Sequence, residues 1–259
     1  LEITSLTLEG YLILLPLIFL AGFVDAIAGG GGLLSVPAYM ATGLPPHFVL
    51  GNNKFSSTFG TLLSTYRYNK RKMPDYRIAL PGAFFALIGS HLGTRTVLLL
   101  DPHFLNYLLL FLIPAITLFV WIRKESGMVK RDPSFSKLQI LLIASAAGLI
   151  IGFYDGFFGP GTGSFLIFGY TVVLGCDYVG ANANAKIVNL ASNLAAMITF
   201  LISGKVIFTI GIPAAICGIM GNYLGSKMVI RNGSRIIRPI FLIVLSLLFI
   251  RIVYNLIQQ

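Results

Sequence analysis

The sequence predicts an all-α polytopic membrane protein of two inverted-topology repeats, with about eight full transmembrane helices and two short half-helices that follow glycine breaks. Three observations carry this expectation. Of 259 residues, 56% are hydrophobic and only 11% are charged, against roughly 25% charged in soluble domains. Apolar stretches recur at 11–28, 48–66, 78–100, 104–122, 138–158, 179–203, 207–230 and 236–257, most of them near the ~20 residues a helix needs to cross a bilayer. Finally, one short motif is written twice. Gly22-Phe23-Val24-Asp25-Ala26-Ile27-Ala28-Gly29-Gly30-Gly31 returns as Gly152-Phe153-Tyr154-Asp155-Gly156-Phe157-Phe158-Gly159-Pro160-Gly161, at an offset of 130.

Taken in order, the first span ends at Asp25 and a run of four glycines, Gly29 to Gly32. The apolar piece after it, 33–44, has twelve residues, which reach only about 18 Å as a helix. Spans 48–66, 78–100 and 104–122 complete repeat one, about 10–123. The polar segment 124–136, with Gly127 and Pro133, reads as a cytoplasmic linker. Repeat two, about 137–258, repeats the plan: a span ending at Asp155, the break Gly159-Pro160-Gly161-Thr162-Gly163, a short piece 163–174 and three further spans. Later matches share an offset of 132: Asn52 with Asn184, Lys54 with Lys186, Pro81 with Pro213, Gly89 with Gly221, Gly93 with Gly225 and Arg95 with Lys227. The whole of 1–259 is expected to pack as one transmembrane domain, since either half alone would expose a polar lining to lipid. Irregular backbone at membrane depth is tolerated only when buried or lining a cavity, so the two breaks should enter from opposite faces and meet at a central site.

The net charge of +10 does not call for a nucleic acid. Lys and Arg collect in cytoplasmic loops, and clusters at 67–77, 123–137 and 227–238 hold most of the cations. The clusters fall in different loops of the two repeats. That orients the repeats oppositely, with Lys70, Lys130 and Arg235 cytoplasmic and Asp101, Lys205 and both termini outside. Glu2 and Glu9 occupy the place of a basic leader region, so the first span is expected to be retained. Cys176 and Cys217 are too few for a disulfide framework or a metal cluster and read as packing residues. Neither a metal nor a cofactor is expected. His47, His91 and His103 carry little, because His91 is matched by Tyr223 in the other repeat.

The candidate site is built from residues that are costly where they stand. Lys54 and Lys186 lie inside apolar helices, where an ionisable group costs at least about 2.5–3.5 kcal/mol. Two readings fit: a buried ion pair with Asp25 and Asp155, or cations facing an aqueous cavity that attract an anion, the duplication favouring the latter. Asn52, Asn53, Ser56, Ser57 and Thr61, with Asn184, Asn189 and Asn193 in the second copy, can hydrogen-bond an oxyanion or join helices. Gly30, Gly31, Gly161 and Thr162 present backbone N–H groups at helix starts, which favour anions. Asp25 and Asp155 can be structural or can carry protons.

The run from Gly22 to Pro37, Leu44-Pro45-Pro46-His47 leading into Gly51-Asn52-Asn53-Lys54, and the second copy from Gly152 to Gly163 together resemble the TauE/SafE family of sulfite exporters. The resemblance covers nearly the whole chain. It implies a cell-membrane transporter of small anions, sulfur oxyanions or organosulfonates, working by alternating access, with proton coupling and homo-oligomerisation left open. An anion channel is the alternative. An enzyme is disfavoured because the chain has no His-Glu-x-x-His or activated serine motif. The second break, Gly-Pro-Gly-Thr-Gly in place of four glycines, makes the two half-sites chemically unequal.

Overall fold

A computed structural model of the chain describes residues 5–108, 111 and 135–233, and these are all-helical. Eight helices are α1 Leu8–Ala28, α2 Gly32–Met40, α3 Pro46–Lys70, α4 Tyr76–Leu98, α5 Lys137–Phe157, α6 Thr162–Val172, α7 Tyr178–Ile202 and α8 Phe208–Asn232, with a further helical segment at 102–108. The expected spans 104–122 and 236–257 and the linker 124–136 lie mostly outside the described residues.

Local sequence sets the helix ends. Thr7, Asp75, Ser136 and Asp177 each cap a helix start by accepting a hydrogen bond from a backbone N–H of its first turn. Ser136 and Gln139 close a full capping box. Pro46 opens α3, where its missing N–H costs nothing. Gly29, at φ +70°, ends α1 in the left-handed conformation. The short helices α2 and α6 have nine and eleven residues, about 14 and 16 Å of rise. Both are too short to cross a ~30 Å hydrocarbon layer.

Four helices, α1, α5, α7 and α8, are long and apolar enough to cross a membrane on composition alone. The 25-residue α3 has the length, but Asn52, Asn53, Lys54, Ser56, Thr58, Thr61 and Ser64 lie on it, all buried within the protein. Large apolar side chains such as Leu12, Phe84, Ile150, Ile216 and Met220 face outward. Polar inside and apolar outside is the distribution that lipid demands.

The helices contact one another across the two halves. The most extensive contacts are α4 on α5 and α1 on α8, followed by α4 on α7 and α3 on α8. Exchanging α1–α4 with α5–α8 leaves this set unchanged. Glycines bring the backbones together in both copies. A Cβ on Gly89 or Gly93 would lie 2.2 Å from the Leu149 carbonyl oxygen or 2.0 Å from that of Phe153. One on Gly221 or Gly225 would lie 2.0 Å from the Phe19 oxygen or 2.4 Å from that of Phe23. Small residues at four-residue spacing pack membrane helices this way, because lipid offers no hydrophobic drive and close contact must supply the attraction.

α3 and α7 are the central pair and run antiparallel. The N–H of Ile207, just before α8, donates to Asn52 Oδ1 at 3.2 Å, and the N–H of Asp75, just before α4, donates to Asn184 Oδ1 at 2.7 Å. These are corresponding bonds at opposite ends of the pair. Lys205 therefore sits at the start of α3, a full helix length from Lys70.

Candidate functional site

The two glycine breaks meet at the centre. A Cβ on Gly29 would lie 2.4 Å from the carbonyl carbon of Gly163, and one on Gly32 would lie 2.9 Å from Pro160 Cα. Ser164 donates its hydroxyl to the Ala28 carbonyl at 2.9 Å, tying one break to the other. Breaking α1 and α5 here leaves Asp25 and Asp155 in the last turn of each helix, beside α3 and α7.

Each lysine is the ninth residue of a 25-residue helix, roughly 13 Å from its start. Lys54 Nζ lies 2.7 Å from Asp155 Oδ1, and Lys186 Nζ lies 2.6 Å from Asp25 Oδ2. The structure thus adopts the ion-pair arrangement for both lysines. Both pairs cross between halves. The reason is the cost of isolation, since a charge taken out of water carries a penalty of several kcal/mol unless it is paired and hydrogen-bonded. Lys54 also donates to Asn193 Oδ1 at 3.1 Å. Ser192 donates its hydroxyl to Asp155 Oδ2, and Thr61 to Asp25 Oδ2 at 3.4 Å. Gly159, at φ +96°, leaves room for Lys54, because a Cβ there would lie 2.9 Å from Nζ.

A small cavity of about 20 Å³ lies among these groups, enough for one water. It is lined by Asp25, Asn53, Lys54, Ser57, Asp155, Thr162, Asn189 and Asn193 with Gly29, Gly32, Gly159 and Gly163. Most of the expected site residues are therefore brought together. Gly31 lines a second, adjoining cavity of about 20 Å³ instead, while Gly30 and Gly161 line neither. Asn52 and Asn184 line neither cavity, and each accepts a hydrogen bond from a backbone N–H of the opposite half. Lys186 reaches the first cavity through its partner Asp25.

The sequence reading missed Ser35 and Asn222. Ser35 donates to Asn53 Oδ1 at 2.5 Å, which holds that amide in place. Asn222 is 2% exposed, lines the second cavity, and its Oδ1 has no hydrogen-bond partner. Asn222 was legible as the repeat partner of Ser90, but a single polar residue in an apolar helix gave no sign of what it faced. Among the described residues no group of His, Cys, Asp and Glu is placed to hold a metal.

A chain whose described residues form helices, several of membrane-crossing length, with an apolar exterior and charges at the centre is a multi-pass membrane protein. The family described as Sulfite exporter TauE/SafE matches residues 14–252. A relative from Haemophilus influenzae, described as "Probable membrane transporter protein", is 36% identical over 237 residues, 92% of each chain. The similarly described YfcA of Escherichia coli is 34% identical over 236 residues, 91% of this chain and 87% of its own. A third, ORF9 from Sinorhizobium sp, is 35% identical over 234 residues, 90% of this chain and 88% of its own. No solved structure matches the chain. The chain belongs to the TauE/SafE family of membrane transporters, which are not enzymes.

Proposed function

We propose that the protein is a secondary transporter of small anions, sulfur oxyanions or organosulfonates, which moves them by alternating access around the two crossed Lys–Asp pairs. The observation that carries this reading is that Lys54 and Asp25, from one half, and Asp155, from the other, line a common polar cavity beside the two glycine breaks, with Lys186 paired to Asp25 at its edge. Two cations with amide and hydroxyl donors around them make a site for an oxyanion, provided the carboxylates yield. Asn53, Ser57, Asn189, Asn193 and Thr162 are the neutral ligands, and the N–H groups around Gly31 and Thr162 add the positive ends of α2 and α6. At about 20 Å³ the cavity is smaller than a four-heavy-atom oxyanion. Admitting substrate requires the pairs to part, which suits a carrier that closes between turnovers better than an open pore.

The antiparallel α3–α7 pair and the contact set that survives exchange of the halves support two inverted-topology repeats acting as one domain. Alternating access then exchanges the roles of the halves. The test is uptake of sulfite, sulfate, thiosulfate and methanesulfonate into proteoliposomes, with and without a pH gradient. Saturable uptake of at least one supports the reading; none, or ohmic current in bilayer recordings, contradicts it.

A further inference from the structure

The two carboxylates are not equivalent. Asp155 is sealed: its side chain is 2% exposed, Oδ1 takes Lys54 and Oδ2 takes Ser192. Asp25 is 15% exposed, and its ammonium and hydroxyl partners both converge on Oδ2. Asp25 also borders the second cavity, which is lined by Ser35, Ser56, Ser57 and Asn222 and is large enough for one water. The repeat shows what changed. The position corresponding to Ser56 is Val188. Gly60 corresponds to Ser192, and a Cβ at Gly60 would lie 2.4 Å from Asn222 Nδ2. Where the second half places a hydroxyl on its aspartate, the first half leaves space that the Asn222 amide enters. The buried Asn222 Oδ1, without a partner, marks the place for a water there.

The charges around Asp25 are Lys186 from α7, Lys54 and the phenol of Tyr68 from α3, and Asp155 across the cavity from α5. From α2, α6 and α8 the groups nearby are neutral, with Ser35, Thr162 and Asn222 lining the two cavities. The four central charges, Lys54, Lys186, Asp25 and Asp155, sum to zero. An anion entering alone leaves the site with an uncompensated negative charge, and a proton entering alone leaves a positive one. Either is costly at this depth.

We propose that Asp25, and not Asp155, is the coupling group, loaded by a proton from the water cavity shared with Asn222. This rests on the anion-transport reading above. The proton adds to the Asp25 carboxylate, the Lys186 ammonium loses its counter-ion, and the freed ammonium takes the anion. Proton and anion enter together because only the pair keeps the centre neutral.

Methanesulfonate is the suitable probe because its charge does not vary with pH. A gradient of one pH unit drives about tenfold accumulation at one proton per anion, and an imposed membrane potential leaves that ratio unchanged. Asp25→Asn abolishes the accumulation while counterflow at equal pH persists. Ser56→Val, which installs the residue of the sealed half, slows pH-driven uptake and spares counterflow. Undiminished accumulation in Asp25→Asn, or accumulation driven by sodium instead of pH, overturns the proposal. Absent counterflow in the wild type fails the transport reading separately. Infrared titration of the purified full chain in saturating methanesulfonate, which supplies the compensating negative charge, then decides between the carboxylates. A protonated-carboxyl signal lost in Asp25→Asn and retained in Asp155→Asn supports the proposal, and the reverse, or loss in both, overturns it.

Discussion

Lys54 and Asp155 are 101 positions apart in the chain and 2.7 Å apart in space. Removing one partner leaves the other buried and unpaired, so Lys54→Ala is expected to destabilise the protein by about 3–5 kcal/mol. The double variant Lys54→Met with Asp155→Asn removes both charges and recovers most of that stability; thermal unfolding in detergent measures both. The cost of an ionisable group in an apolar helix made Asp25, Lys54, Asp155 and Lys186 legible in the sequence. Which carboxylate each lysine takes was not, because the pairing depends on how the halves cross. What Asn52 and Asn184 would bond was hidden for a related reason. An asparagine on a helix announces that something will be hydrogen-bonded, and here the partner is a backbone N–H preceding a helix of the opposite half.

The helices and the short apolar pieces were readable from apolar length and glycine breaks, while the caps at Thr7, Ser136 and Asp177 came only with the structure. The packing was less so. Gly89, Gly93, Gly221 and Gly225 stood out as repeat matches, but their meaning as the surfaces on which α4 meets α5 and α8 meets α1 needs three dimensions. Because a Cβ at Gly93 or Gly221 would lie 2.0 Å from a backbone oxygen, Gly93→Ala and Gly221→Ala should each cost about 1–3 kcal/mol through overpacking. Gly169, in α6, has open space at its Cβ position. Gly169→Ala should be neutral or stabilising by up to about 1 kcal/mol. Unfolding temperatures of the three variants, measured side by side, check the ordering; a loss at Gly169 equal to that at Gly93 would contradict the packing account.

For the whole molecule, the swapped basic clusters and the antiparallel α3–α7 pair lead to one expectation: Lys70 and Lys205 lie on opposite sides of the membrane. Labelling Lys70→Cys and Lys205→Cys in intact cells with an impermeant reagent should modify only the latter, and labelling of both from outside would rule out inverted repeats. The central claim is that the crossed pairs form the anion site and are more than a bond between halves. Lys186→Met combined with Asp25→Asn removes one pair without stranding a charge, and replacing a buried pair by neutral residues is often tolerated. Calorimetric titration of sulfite into this double variant and into the wild type therefore separates binding from folding. The account predicts a folded variant whose affinity falls by at least about tenfold, some 1.4 kcal/mol; unchanged affinity would contradict it.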